Sequence, residues 1–303
     1  MKKLFISLIF ILLGVFIFDR LGGVLMWQVN QRTQDLSGPK IKYLVNDFHE
    51  DILFLGASRC NLHYVPSILA DSLGMSVYNG GIDGSDCIYA HYCILNHILD
   101  QYTPKVICLE LMKSDYAKEK DAFKTISFFA PYFGRNERAD SIFRDAGTYW
   151  PYRIFHLYRY NAKAVSNIGG LFYNKQKKED NGYNPMPQSA FFPKKLEKQE
   201  TPNECDSLKL CYLQKFISLC NERNIRLIFV VSPAYTLADI DLYSVLKKVA
   251  SKNSIPFWDY HSLGLYHDHP EYFRDENHLW DKGAKIYTSL FAHDLKCYLQ
   301  AVW

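Results

Sequence analysis

Along the chain, short apolar runs alternate with stretches whose apolar residues recur every three or four positions. Ile52 to Leu55, Ser76 to Asn79, Val106 to Leu111, Ile225 to Val231 and Pro256 to Tyr260 have the length and continuous apolar character of buried strands. Between and after them, a segment from about Pro66, then Cys87 to Leu99, Leu208 to Arg223, Ile240 to Ser251 and Lys282 to Leu299 carry helical periodicity. Strands that are apolar on both faces and alternate with helices predict an α/β fold, a parallel sheet covered on both sides.

The rhythm breaks once. Between the third strand and the next helix lie about ninety residues, Asp115 to Cys205, too many for a structureless connection in a compact domain, so an inserted subdomain or lid is expected over 115–205. It is dense in aromatics, including Phe128, Phe129, Tyr132, Phe133, Tyr149, Trp150, Phe155 and Tyr158. These predict a core for the insertion or, in part, a stacking or lipid-facing surface. Its tail, Lys175 to Pro202, is polar and reads as mobile.

The first residues follow a different pattern. Met1-Lys2-Lys3 precedes an apolar run from Leu4 to Phe18, closed by Asp19-Arg20 and followed by a second apolar patch from Leu21 to Trp27. As a helix the first run rises only about 22 Å against a hydrocarbon core of about 30 Å, so both a signal segment and an anchor fit. No small-x-small cleavage site or lipobox cysteine follows, and residues 1–29 are expected to be an uncleaved membrane anchor. With the two lysines held in the cytoplasm, the remainder, 30–303, would lie on the periplasmic or extracellular side. Asn30 to Lys40, with Ser37-Gly38-Pro39, reads as a linker.

Net charge is +3 with basic residues scattered, which argues against a nucleic-acid partner. Eight cysteines in an exported chain raise the question of disulfides, but there is no Cys-x-x-Cys and Cys93, Cys108, Cys211 and Cys220 fall inside apolar patterns as small hydrophobes. Cys205 and Cys211 are the nearest candidates for a bridge.

Candidate chemistry sits at the strand ends, where open α/β sheets bind ligands. Ser58 follows the first strand in Gly56-Ala57-Ser58-Arg59 and is a candidate nucleophile, which needs a base and an orienting carboxylate. Asp275-Glu-Asn-His278, before the last helix, supplies such a pair: a helical turn would put the two side chains on one side. Tyr78-Asn79-Gly80-Gly81-Ile82-Asp83-Gly84 follows the second strand, and Glu110-Leu-Met-Lys-Ser114-Asp115 the third. Three histidines, His261, His267 and His269, read as a solvated loop; no third ligand joins His267 and His269, and no metal is expected. Ser232-Pro233 would shape the pocket rim.

In these blocks the chain resembles the SGNH or GDSL hydrolase superfamily, with alanine at position 57 where that family's name motif has aspartate. The resemblance implies a flavodoxin-like three-layer α/β/α domain with a five-stranded parallel sheet. It also implies Ser58 as nucleophile, His278 as base and Asp275 as its orienter. The oxyanion hole would combine the N–H groups of Ser58 and Gly84 with Ser114, which stands where the family has asparagine. Arg59 and Asn79 are possible substrate contacts, and Arg59 a possible replacement donor.

The expected activity is therefore that of a membrane-anchored serine esterase or O-acyltransferase working through an acyl-enzyme, on acyl groups, most plausibly acetyl, of cell-envelope or exopolysaccharide glycans. Such chemistry requires no cofactor. The competing expectation, which the serine at 114 supports, is a catalytically weak SGNH-fold protein that binds glycans or assists envelope assembly.

Overall fold

The structure, a computed structural model, describes residues 1–34, 37–172, 180–188 and 195–302. In chain order it comprises α1 (Lys2–Arg32), α2 (Gly38–Asn46), β1 (Ile52–Leu55), α3 (Ser58–His63), α4 (Pro66–Leu73), β2 (Val77–Asn79), α5 (Ile88–Leu99) and β3 (Val106–Glu110). The insertion carries α6 (Glu137–Asp145), α7 (Tyr149–Ile154), α8 (Ala164–Gly170), several 3₁₀ turns and β4 (Glu197–Gln199). Then follow α9 (Ser207–Glu222), β5 (Arg226–Val231), β6 (Thr236–Ala238), α10 (Ser244–Lys252), β7 (Phe257–Asp259) and α11 (Asp281–Val302).

Five strands form one parallel sheet in the order β2-β1-β3-β5-β7, the doubly wound arrangement expected of a flavodoxin-like domain. Side chains alternate across it. Leu53, Leu55, Ile107, Leu109, Leu227, Phe229 and Val231 face a core shared with α2, α5, α9 and α10. Ile52, Phe54, Val106, Cys108, Ile228 and Val230 face α3, α4 and α11. Burial on both faces explains why the strands read as continuous apolar runs. A second, two-stranded parallel sheet, β4 with β6, ties the end of the insertion to the segment after β5.

Several elements differ from the sequence expectation. The linker around Ser37-Gly38-Pro39 is the start of α2, whose Pro39 sits in the first turn, where a missing N–H costs nothing. Lys40 is buried there and donates to Asn61 Oδ1 and the Gly81 carbonyl. Among the described residues the insertion's rings pack on one another, Phe133 against Phe143, Tyr149 and Tyr152, and with Phe129 and Tyr132 they continue the core on the α5 side of the sheet, whereas Trp150, Phe155 and Tyr158 are exposed. Within its polar tail, 173–179 and 189–194 lie outside the described residues. All eight cysteines are unbridged.

The N-terminal helix is long and apolar enough to span a membrane. It is continuous over 31 residues, about 46 Å, and longer than the expected anchor segment. Residues up to Phe18 are exposed, and from Asp19 onward the helix packs against the insertion.

Candidate active site

Strand β1 ends at Leu55, and α3 starts three residues later at Ser58. The turn between them requires Gly56: a Cβ there would lie 2.7 Å from Cys60 Cβ and 2.8 Å from Glu110 Cβ. Ser58 thus stands, half-buried, on the carboxyl edge of the sheet. Its Oγ lies 2.8 Å from His278 Nε2, although 220 residues separate them.

His278 lies in an irregular segment before α11, closed by an antiparallel bridge between Phe273 and Leu279 and by Arg274 N–H donating to the His278 carbonyl. No helical turn brings Asp275 and His278 together. Instead the Asp275 carboxylate accepts the backbone N–H groups of Asn277 and His278, each at 2.9 Å, and folds the chain back on itself. The same carboxylate lies 2.9 and 3.0 Å from His278 Nδ1. Burial acts to raise the Asp275 pKa, but the His278 ring and the two N–H donors outweigh it and hold the carboxyl below the ordinary aspartate value. An ionised Asp275 fixes the proton on Nδ1, so Nε2 faces Ser58 as an acceptor.

Beneath this chain lies a buried polar network. Glu110 ends β3, is 1% exposed, and forms an ion pair with Arg59, Nε to Oε1 3.3 Å. It also accepts from Tyr64 OH, from the Ser232 N–H and from Ser232 Oγ at 2.7 Å. Burial raises its carboxyl above the ordinary glutamate value, while Arg59 and the donors from Tyr64 and Ser232 act in the opposite direction and favour the ionised form. Ser232 Oγ lies 2.8 Å from His63 Nδ1, and His63 Nε2 accepts the N–H of Leu279 at 3.0 Å. Because Nε2 accepts, Nδ1 must carry the proton, which it donates to Ser232. Burial, Arg59 and His278 keep His63 neutral, well below the ordinary histidine pKa. The network joins the residue after Ser58 to the residue after His278.

The structure corrects four expectations. Arg59 is 3% exposed and committed to Glu110 and Ser232, so it is neither a substrate contact nor an oxyanion donor. Asn79 is fully buried; its amide donates to the Cys60 and Tyr64 carbonyls and its Oδ1 accepts from the Gly81 N–H. It holds α3 and cannot touch a substrate. Ser232 is buried within the network rather than at a rim. His261 is not solvated either: it is buried between Thr236 and Tyr243, and burial lowers its pKa to about 4.

Gly84 adopts φ +75°, which favours glycine. Ser114, in the 3₁₀ turn Lys113–Asp115, follows the end of β3, as Ser58 follows the end of β1, and the two strands are neighbours in register, Leu55 opposite Leu109. Its hydroxyl is buried and makes no hydrogen bond to a described residue. Its carbonyl accepts from the buried Lys209. Adjacent Asp115 accepts the Met112 N–H and contacts His91 at 3.5 Å; burial raises the carboxyl to about 7 and lowers His91 to about 3. Beside Gly84 a cavity of about 540 Å³ is lined by Asp86, Glu119, Lys120, Lys124 and Phe128.

The residues that sequence reasoning missed are Glu110, His63 and Tyr64. A glutamate at the end of an otherwise apolar strand was the available signal. No family model and no curated protein matches the chain. Among solved structures, the chain is similar to a protein of Bacteroides fragilis provisionally assigned as an acylhydrolase, at 14% identity and TM-score 0.42, over 84% of this chain and 89% of that one. It is also similar to a protein of Desulfitobacterium hafniense provisionally assigned to the G-D-S-L family of lipolytic proteins, at 9% identity and TM-score 0.40, over 80% and 98%.

Proposed function

We propose that the protein is a membrane-anchored serine esterase or O-acyltransferase of the SGNH type. The observation that carries this reading is the continuous chain from Ser58 Oγ through His278 to Asp275, at 2.8 and 2.9 Å. In this mechanism His278 Nε2 takes the Ser58 proton as Oγ attacks the ester carbonyl. Asp275 holds the ring and stabilises the imidazolium. The oxyanion is met by the N–H groups of Ser58 and Gly84 and by the Ser114 hydroxyl, which is buried and has no partner among the described residues. His278 then returns the proton to the leaving alcohol. The acyl-enzyme is resolved by water or by an acceptor hydroxyl, with the same histidine as base.

The cavity beside Gly84 is lined by charged side chains of both signs with Phe128 among them, which suits a polar acceptor such as a sugar better than a lipid chain. Together with an anchor headed by Lys2 and Lys3, this supports acetylated glycans outside the cytoplasmic membrane as the substrate class. The test is a fluorophosphonate probe, which modifies only an activated serine, applied to the full chain in detergent. Labelling at Ser58, abolished in Ser58→Ala, is the expected result. An unlabelled, folded wild type would favour a binding or assembly role instead.

A further inference from the structure

We propose that the cavity between α1 and the insertion binds the phosphate of an anionic phospholipid headgroup, seating the insertion on the membrane surface. The cavity, of about 450 Å³, is bounded by Gly23, Val24 and Trp27 of α1 and by Arg135, Arg153 and Arg159 of the insertion. His156 also lines it, and no carboxylate does.

Its depth follows from the anchor. Twenty helical residues cross about 30 Å of hydrocarbon, so a span beginning at Leu4 ends near Gly23, and the headgroup layer covers roughly the next four residues, to Trp27. The arginines therefore lie at the level of lipid phosphates. The insertion reaches that depth because it is bound there. The Asp19 carboxylate accepts the N–H groups of His156 and Leu157 at 2.8 and 3.0 Å, and Arg20 donates to the Ile154 carbonyl. At Gly23 a Cβ would lie 2.5 Å from His156 Cβ, so the backbones touch. The adjoining side chains Trp150, Ile154 and Phe155 are each half or more exposed, a composition suited to the interfacial layer.

Among the described residues the charge of the cavity has no ion-paired counterion. None of Arg20, Arg135, Arg153 and Arg159 forms an ion pair with a described residue. Arg135 stacks on Trp27 at 4.3 Å and donates to Asn46 Oδ1; Arg159 donates to the Tyr152 carbonyl. Neither bond neutralises a guanidinium. The carboxylates Asp19 and Asp140 accept backbone N–H groups, Asp140 that of Gly134, and Asp140 acts on Arg153 and Arg159 through its field without an ion pair. Burial together with Arg20 and Arg153 pulls the Arg159 pKa below its ordinary value, and burial with Arg159 and Arg20 does the same to His156. An arginine fork matches a phosphodiester, and three around one cavity make a site for it.

The full chain in detergent, given equal phosphatidylglycerol and phosphatidylcholine and read by native mass spectrometry, is expected to retain phosphatidylglycerol with at least a tenfold preference. Arg153→Gln, at a side chain with no bond to a described residue, should reduce that preference severalfold, and Arg153→Gln with Arg159→Gln should abolish it. Equal retention of the two lipids, or an unchanged preference in folded Arg153→Gln, would overturn the proposal. Displacement of the lipid by equimolar glycerol phosphate would overturn it in favour of a soluble phosphate ester. Turnover of a short soluble ester is expected to stay unchanged in Arg153→Gln, so failure of this site and failure of the esterase reading are separable.

Discussion

Replacing Glu110 by glutamine tests whether the buried network supports the candidate triad. The substitution keeps the volume but leaves the Arg59 guanidinium, 3% exposed, without its counter-charge. It also turns one carboxylate oxygen into an amide that would point at donors, since Tyr64 OH and Ser232 N–H approach from the other sides. Breaking a buried pair from one side costs about 3–5 kcal/mol. For a chain of this size that is a fall in Tm of roughly 5–8 °C. Arg59→Met should cost less, because Glu110 keeps three donors that can hold a carboxylate. The double variant should fall short of the sum of the two by about 2 kcal/mol or more, because neither charge is then stranded. Arg59 follows Ser58, and the other end of the network holds the Leu279 N–H beside His278. Folded Glu110→Gln should therefore lose kcat on a short ester with little change in KM. Thermal unfolding of the full chain in detergent and steady-state hydrolysis provide the readouts. Single variants within about 1 kcal/mol of wild type, or strictly additive effects, would refute the claim that this pair is mutually dependent.

Other outcomes follow from the site itself. Ser58→Ala and His278→Ala should each lower ester hydrolysis by roughly 10³-fold or more at unchanged Tm, and Asp275→Asn should hurt less than His278→Ala; steady-state rates decide. Ser114→Ala should leave stability intact, since its hydroxyl has no partner among the described residues, and lower kcat about 10²-fold; an unchanged rate would remove Ser114 from the oxyanion hole. His97 is buried and its pKa is lowered to about 4, so the unfolded chain, with histidine near 6.5, binds the extra proton first. Stability from this group is therefore complete above about pH 6.5 and lost as pH falls towards 4. Relative to His97→Leu, the wild type should lose about 3 kcal/mol across that window in denaturation at each pH.

Much of this was legible because the relevant signals are local. Strands buried on both faces are continuous apolar words, and a glycine-x-serine directly after one of them can be read without knowing its partners. Helix α3 was not legible: Ser58-Arg-Cys-Asn-Leu-His63 has no apolar stripe, since every residue after Ser58 is buried and the polar ones are matched by Glu110, Ser232, Asp83 and Leu279 from elsewhere in the chain. Arg59 and Asn79 looked like surface residues for the same reason. A charged or amide side chain is presumed solvated unless its partner is known, and Glu110 stands 51 positions beyond Arg59. The insertion's aromatics could not be sorted by composition, because the buried Phe129 and the exposed Phe155 differ only in which neighbour reaches them. The Asp275 and His278 pair was readable by spacing, though a carboxylate capping two N–H groups, rather than a helix, creates the juxtaposition.

On the proposed reading α1 both tethers the domain and supports the insertion, and truncation should divide the two roles. Asn30 of α1 accepts from Asn167 Nδ2 in α8 at 3.0 Å, and the Gln34 N–H donates to the Gly170 carbonyl. The Lys163 ammonium, at the start of α8, lies 4.1 Å from the centre of the Phe128 ring. The Phe128 ring in turn borders Gly84, 3.8 Å from where a Cβ there would lie. A chain of contacts thus runs from the membrane-proximal helix to one wall of the cavity beside the candidate oxyanion glycine. Residues 2–18 take no part in it, because their side chains are exposed throughout. Deleting them should release the protein from the membrane fraction and leave kcat/KM for a short soluble ester within about twofold. Deleting through Arg32 also removes Asp19, Trp27 and Asn30. The insertion then loses its footing on α1, and kcat/KM should fall by an order of magnitude or more through KM, because in the proposed mechanism the displaced wall meets the substrate and not the nucleophile. Equal activity of the two truncated chains would show that Phe128 and Gly84 are positioned without the anchor, and that α1 is a tether alone.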